Sequence, residues 1–392
     1  MNAPSPALAP APHSLGIAAH PPLRVLTFLH SFEPGGVERV ALRLHAAWLA
    51  AGIDSRLVIG RTAGAMRSEW PGLNAQVLGS GRVPTAHWET LWMILRLPGA
   101  IRRNRPDVLF CAGNSYTVVA VMMRLLLGKA CPPVAAKISN DLTRADLPAP
   151  ARPFYRAWLR IQGQMLDKIV GMAPPMRAEI AQLMRAPAER IAIIDDPSLD
   201  EADIERLAAA RAAAAPRETG KRFLAIGRLA PQKNFGLLLD AFAAMAGPDD
   251  QLAIIGEGSE RRALEAQIRR LGLAGKVRLP GHISPLGAEL IAADALVLSS
   301  DYEGVPAVVA EALAAGLPIV ATRCSVSMDD MLGGGRFGVL VPVGDAAALS
   351  GAMADIANLQ FDVAAAREQA RRFTVQLASI RYRALMEGLA RV

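Results

Sequence analysis

The chain is poor in cysteine. Cys111, Cys131 and Cys324 are the three in 392 residues; they are scattered, odd in number and form no CxxC pair. That excludes a disulfide framework and a thiolate zinc site. It fits reduced surroundings in which each cysteine serves as a small apolar residue. Long apolar runs are also missing. The longest, Val118–Leu127, is interrupted by Arg124 and falls short of the roughly 18 residues that cross a bilayer. The first 22 residues hold six prolines and no Lys or Arg. They lack the basic and apolar regions of a signal peptide and read as a mobile tail. Neither GxxxxGK[ST] nor GxSxG occurs, and the glycine pair Gly35-Gly36 that follows the first strand is not GxGxxG. A dinucleotide fingerprint, a P-loop and a nucleophile elbow are therefore absent. The histidines, His30, His45, His87 and His282 among them, lie too far apart to show metal-ligand spacing.

Disorder is excluded from the other side: 52% of residues are apolar and 20% charged, which supports a sizeable core. The charge is lopsided. Residues 1–196 hold 22 Lys and Arg against 13 Asp and Glu, and the remainder holds 21 against 23. A basic first half implies an anionic partner: a phosphorylated substrate, an anionic lipid surface or nucleic acid. Nucleic acid fits least, because the cations are almost all isolated arginines without an aromatic RNA-binding motif or a zinc finger. In HWETLWMILRL (His87–Leu97), Trp88, Trp92 and Leu95 stand at helical spacing ahead of Arg102, Arg103 and Arg105. Such a helix lies in a membrane interface, or it is an ordinary core-facing helix with a solvated basic end.

Length allows about two domains, and periodicity divides the chain accordingly. Short apolar runs at 24–30, 57–60, 107–111, 134–139, 168–171 and 191–194 read as strands. Helical patterns at 37–51, 115–127, 153–166 and 174–184 separate them. A connection follows from Asp196 to Pro216, with Pro197 and an Ala-rich helix inside it. The pattern then restarts, with strands at 222–226, 251–255, 277–279, 295–298, 319–322 and 339–341. Helices are expected at 234–245, 259–271 and 306–315, and from Ala346, Ala364 and Gln376 onward. The predicted fold is α/β: two doubly wound parallel-sheet units, with ligands bound between them at the carboxyl ends of strands.

Three segments carry chemistry. In DYEGVPAVVAEALAAG (Asp301–Gly316), which follows a strand, Gly304 permits a tight turn and Pro306 suits a first helical turn. The helix start then offers free N–H groups and a positive dipole end to an anion. Glu303 and Glu311 lie eight positions apart, roughly 12 Å along a helix axis. That spacing suits a long ligand with hydroxyls at both ends and phosphates between them. The alternative is loop acids and a solvated helix glutamate, though the apolar run Ala307–Ala315 argues against a solvated Glu311. In AIGRLAPQKN (Ala225–Asn234), Arg228 and Lys233 leave one loop together, a pair suited to a diphosphate or simply two surface cations. In EPGGV (Glu33–Val37), Gly35 and Gly36 either let backbone approach a ligand or form a plain turn. Gly256 and Gly258 end one strand and His282 another; a turn is the simpler reading of each.

With these segments in view, the sequence resembles the retaining GT-B glycosyltransferases of family 4. The carrying stretches are EGVPAVVAEALAAG, GRLAPQKN, IIGEGSERRALEAQIRRLGLAGKVRLPGHIS and PGGVERVALRLH. The likeness runs from about Leu23 to Val392 and is looser in the first half. It implies two Rossmann-like domains in the GT-B arrangement: a tail (1–22), an acceptor domain (23–196), a linker (197–216), a donor domain (217–373) and a C-terminal helix (374–392) crossing back to the first domain. It implies a UDP-, GDP- or ADP-sugar as donor and no resident metal or cofactor.

On that resemblance Arg228 and Lys233 hold the diphosphate. Glu303 contacts the transferred sugar beside the N–H groups of Val305, Ala307 and Val308. Glu311 accepts from the ribose, and Gly35 and Gly36 approach from the other domain. Gly227, Gly256, Gly258, His282, Ile283 and Gly304 complete the donor set. Retention implies same-face attack with the departing phosphate as base. Two departures stand out. Relatives often carry a histidine where this chain reads Ser139-Asn140-Asp141, so Asn140 or Asp141 is expected at the reaction centre. Asp330, in CSVSMDDML, stands where glutamate is usual. The acceptor expected is a lipid-linked or cell-envelope glycan, with the protein in the cytoplasm or on the inner face of its membrane. The alternatives are a catalytically silent nucleotide-sugar-binding protein and an epimerase on the same fold.

Overall fold

The computed structural model describes residues 22–33, 35–79, 88–139, 142–144, 147–214 and 219–391. His87, Asn140 and Asp141 lie outside them.

The first sheet contains β1 (Arg24–Leu29), β2 (Asp54–Ile59), β3 (Ala75–Val77), β4 (Val108–Cys111), β5 (Val134–Lys137), β6 (Lys168–Gly171) and β7 (Ile191–Ile193). Their order is β3-β2-β1-β4-β5-β6-β7, and every pairing is parallel. Helices α1 (Gly36–Ala50), α2 (Glu89–Asn104), α3 (Thr117–Leu127), α4 (Arg152–Met165) and α5 (Met176–Met184) cover it. Parallel strands buried on both faces need near-continuous apolar sequence, and RVLTFL and VLFC supply it.

The second half starts with α6 (Glu201–Ala213) and continues with β8 (Arg222–Ile226), α7 (Phe235–Met245), β9 (Gln251–Ile255), α8 (Arg261–Arg270), β10 (Val277–Gly281) and α9 (Gly287–Ala292). Then come β11 (Ala295–Leu298), α10 (Ala307–Ala315), β12 (Ile319–Thr322), α11 (Met328–Met331), β13 (Gly338–Val341), α12 (Ala346–Asp355), α13 (Val363–Arg371) and α14 (Val375–Ala390). The sheet is parallel, in the order β10-β9-β8-β11-β12-β13. Alternation along β8 sends Leu224 and Ile226 to one core layer and Phe223 and Ala225 to the other. The predicted α/β fold of two doubly wound sheets is what the chain adopts.

Three details refine the expected organisation. The 197–216 connection holds α6, whose Ile204 and Leu207 are buried in the second core. Helix α14 belongs to the first core: Tyr382 is fully buried, edge-on to Trp48 and Phe110 at centroid distances of 6.1 and 5.3 Å. The two crossings between domains run side by side, with Leu199 and Thr374 bridged in parallel. Asp195 joins them, accepting from Arg372 at 3.0 Å and Arg381 at 2.9 Å.

Of the Trp88, Trp92 and Leu95 stripe, read as interfacial or core-facing, the fold turns Trp92 to the core and leaves Leu95 exposed. Trp92 faces the interior, edge-on to Trp88 at 5.4 Å, and Arg96 caps its ring at 4.7 Å. The face α2 leaves open carries Leu91 and Leu95, 53% and 62% exposed. An i, i+4 aromatic pair at the start of a helix does not by itself say which side meets the sheet.

Candidate active site

The carboxyl ends of both sheets face a shared cavity of about 520 Å³, within the range of small-molecule sites. From the second domain come Gly227, Arg228, Gln232, Lys233, Glu303, Val305, Pro306, Ala307, Val308 and Glu311. From the first come Gly35, Gly36, Arg39, Arg43, Lys137 and Ser139. Thus Arg228, Lys233, Glu303, Glu311, Val305, Ala307, Val308, Gly227, Gly35 and Gly36 converge on one space. Val305 packs against the cores of both domains.

The loop after β8 is shaped for Lys233. A short helical turn, Pro231–Lys233, ends at Asn234, which takes the left-handed conformation (φ 47°) and caps α7 by accepting from the Leu237 N–H. Asn234 also donates to Asp301 at 2.8 Å, and the Asp301 N–H donates to the Gln232 carbonyl at 2.9 Å. The loops after β8 and β11 are thereby tied together. Lys233 Nζ then reaches Glu303 Oε1 at 2.5 Å, and Ser300 Oγ donates to the same oxygen at 2.8 Å. A Cβ on Gly227 would lie 2.8 Å from Lys233 Cε, so a larger residue there would have to displace the lysine stem. Arg228 is exposed, and its guanidinium has no ion-pair or hydrogen-bond partner among the described residues.

The residues from Gly304 to Pro306 lead into α10. Ser327 Oγ donates to the Gly304 carbonyl at 2.8 Å, and Ser325 Oγ donates to it as well. At the start of α10 the Val309 N–H donates to the Pro306 carbonyl at 3.0 Å, while Ala307 and Val308, whose N–H groups have no helical carbonyl one turn back, line the cavity. Glu311 lies one face further along. Burial pushes its carboxyl up to about 7, against the pull of Arg43 and Arg39 across the cleft, and its Oε2 is buried without a hydrogen-bond partner.

The cavity does not reach five residues of the expected donor set. Gly256 (φ 149°) is where the chain passes behind the Arg228 loop: a Cβ there would fall 1.9 Å from the Gly227 carbonyl oxygen. At Gly258 it would fall 2.2 Å from that of Leu229. Their glycines satisfy packing. Gly304 is held beneath the serine pair, and His282 and Ile283 follow β10 at the sheet edge. Asp330 pairs with Arg372 at 2.8 Å and does not line the cavity.

Sequence reading missed several residues. Lys137, 2% exposed, forms a buried ion pair with Asp196 at the floor. A lysine in the short run VAAK gave only a faint signal. Arg39 and Arg43 follow from α1 once its periodicity is laid beside the glycine pair. Ser325 and Ser327 carried none. Among the described residues, no three His, Cys, Asp or Glu side chains cluster as a metal site.

Comparison with known proteins defines the class. The Glycosyltransferase Family 4 model matches residues 34–196, and the glycosyl transferases group 1 model matches residues 208–373. The chain is thus built from two glycosyltransferase family domains on a GT-B fold. Among relatives, it is 33% identical over 133 residues to the lipopolysaccharide core biosynthesis glycosyltransferase LpsE of Rhizobium meliloti. It is 31% identical over 111 residues to the amylovoran biosynthesis glycosyltransferase AmsD of Erwinia amylovora. These matches cover 34% and 28% of this chain, and 38% and 32% of the relatives' own lengths. In fold it is similar to Anabaena HepE in complex with UDP and glucose (TM-score 0.73, 19% identity, 93% of this chain and 99% of that one). It is likewise similar to sucrose-phosphate synthase from Thermosynechococcus elongatus (TM-score 0.75, 18% identity, 94% and 99%).

Proposed function

We propose that the protein is a metal-independent, retaining glycosyltransferase that moves a sugar from a nucleoside-diphosphate sugar to a cell-envelope or lipid-linked glycan. The observation that carries this is the convergence of Arg228, Lys233 and the α10 N-terminus on one cleft that also holds Glu303 and Glu311. Breaking a glycosyl–phosphate bond builds negative charge on the diphosphate, and preorganised donors aimed at that charge are the largest expected catalytic contribution. Two cations and a helix dipole supply the neutralisation, so the reading needs no metal. Glu303, held by Lys233 and Ser300, is set to accept hydroxyls of the transferred sugar. Glu311, half-buried with its Oε2 buried and without a partner, is set to accept from a ribose. Gly36 adds support: a Cβ there would meet nothing within 4 Å, so packing does not demand glycine, whereas close approach of a diphosphate would.

The relatives' names, lipopolysaccharide core and amylovoran biosynthesis, favour an envelope acceptor. So does the outer side of α2, α3 and α4. It exposes Leu91, Leu95, Leu125, Leu126, Phe154 and Ile161 among the exposed cations Arg96, Arg102, Arg103, Lys129, Arg152, Arg156 and Arg160. Apolar tips in a cationic field suit an anionic membrane surface.

The test is sugar transfer from UDP-, GDP- and ADP-sugars to envelope extract. Glu303→Gln and Lys233→Ala should each lower turnover roughly 100–1,000-fold. Wild-type rates in both would refute the reading. A converted sugar nucleotide appearing without any acceptor would show an epimerase instead.

A further inference from the structure

A second cavity, of about 210 Å³, lies in the first domain and is lined by Asn114, Ser115, Arg144, Tyr155, Trp158 and Gln162. It shares a wall with the main cleft. Ser139 lines the cleft, and Asn114 Oδ1 accepts from Ser139 N at 2.6 Å and Oγ at 3.1 Å. One hydrogen-bonded pair therefore separates the two spaces. The size is below the roughly 300 Å³ at which drug-sized ligand pockets begin, and suits one sugar residue.

The lining is built for a polar, anionic guest. Tyr155 and Trp158 project from the first turns of α4 and offer aromatic surface to sugar C–H groups. Gln162 is 3% exposed, and its Oε1 has no hydrogen-bond donor. A buried acceptor in that condition is costly unless a donor reaches it, and a sugar hydroxyl is such a donor. Arg144 holds the left-handed conformation (φ 44°), with its guanidinium 6.0 Å from the Tyr155 ring centroid. A planar five-donor cation matches a carboxylate or phosphate.

We propose that this cavity seats an anionic monosaccharide unit of the acceptor, a uronate or a phosphorylated sugar. Its charge would lie on Arg144 and its ring against Trp158, so that the receiving hydroxyl enters the cleft past the Asn114–Ser139 wall. The role as acceptor seat rests on the transferase reading of the cleft.

The test is calorimetric titration of the full chain with methyl glucuronide, glucose 6-phosphate, methyl glucoside and inorganic phosphate. UDP, GDP and ADP are titrated in parallel. At least one sugar anion should bind ten-fold or more tighter than the neutral glucoside, and which one identifies carboxylate or phosphate as the recognised group. Arg144→Ala should weaken that binding by roughly ten- to a hundred-fold, Arg144→Lys by less, and Trp158→Ala should weaken it too. Nucleotide binding should be unchanged in all three, which shows that the variants are folded. Equal binding of the neutral and charged sugars, an indifferent Arg144→Ala, or phosphate binding as tightly as the sugar anions would overturn the proposal. A wild-type chain that binds the sugar anion but no nucleoside diphosphate would overturn the transferase reading, and with it the acceptor role.

Discussion

Replacing Glu311 by glutamine should stabilise the protein while weakening its hold on the donor. In the free protein, burial raises this carboxyl from 4.5 to about 7. An acid whose folded value lies above its unfolded value takes up a proton on folding between the two. Its contribution to stability therefore falls as pH rises from about 4.5 to about 7, and is flat above that. Across about 2.5 pH units at 1.36 kcal/mol each, the ionised carboxylate costs about 3 kcal/mol at pH 8. Glu311→Gln removes the charge but keeps a polar group, so the expected gain at pH 8 is roughly 1–3 kcal/mol. At about 2–4 °C per kcal/mol, Tm rises by several degrees. At pH 4.5 the gain should nearly vanish, because both forms are then uncharged in the fold. If Oε2 awaits ribose hydroxyls, the same variant should bind nucleoside diphosphate about ten- to a hundred-fold more weakly. In the parent, affinity should drop as pH falls below about 7, since the hydroxyls favour the ionised form. Scanning calorimetry at both pH values, with a nucleotide titration, reads all of this. A variant destabilised at pH 8, or one with the same gain at both pH values, would refute the reasoning.

Other perturbations test neighbouring parts of the account. Lys137→Met strands Asp196 as a buried unpaired charge and should cost about 3–5 kcal/mol in urea unfolding. Pairing it with Asp196→Leu should recover most of that; a double variant as unstable as the single one would contradict the ion pair's role. Leu95→Glu with Leu125→Glu should abolish co-sedimentation with anionic liposomes, while the parent's binding falls steeply with salt. Binding by the parent that ignores lipid charge and ionic strength would contradict a membrane face on α2–α4.

The fold was legible because buried parallel strands must be apolar throughout and the helices between them must be periodic. Val108–Cys111 and Ala295–Leu298 announce themselves in that way. Strand β3, with two half-buried residues and the exposed Val77, and the short helices α9 and α11 did not, for they are too brief to show a period. In the site, Arg228, Lys233, Glu303 and Glu311 were legible because each stands beside a strand end or helix start that fixes where it points. Gly256 and Gly258 illustrate the limit: a glycine required by backbone crossing and one required by a ligand look alike in sequence. Lys137, Ser325 and Ser327 matter through partners 59, 21 and 23 positions away, a relation that only the folded chain makes.

The most direct test of the central claim is a crystal structure with the nucleoside diphosphate that raises Tm most. The account predicts the diphosphate between Arg228, Lys233 and the N–H groups of Ala307 and Val308, with the ribose on Glu311. Diphosphate density outside the cleft, or in it but out of reach of both cations, would contradict the account.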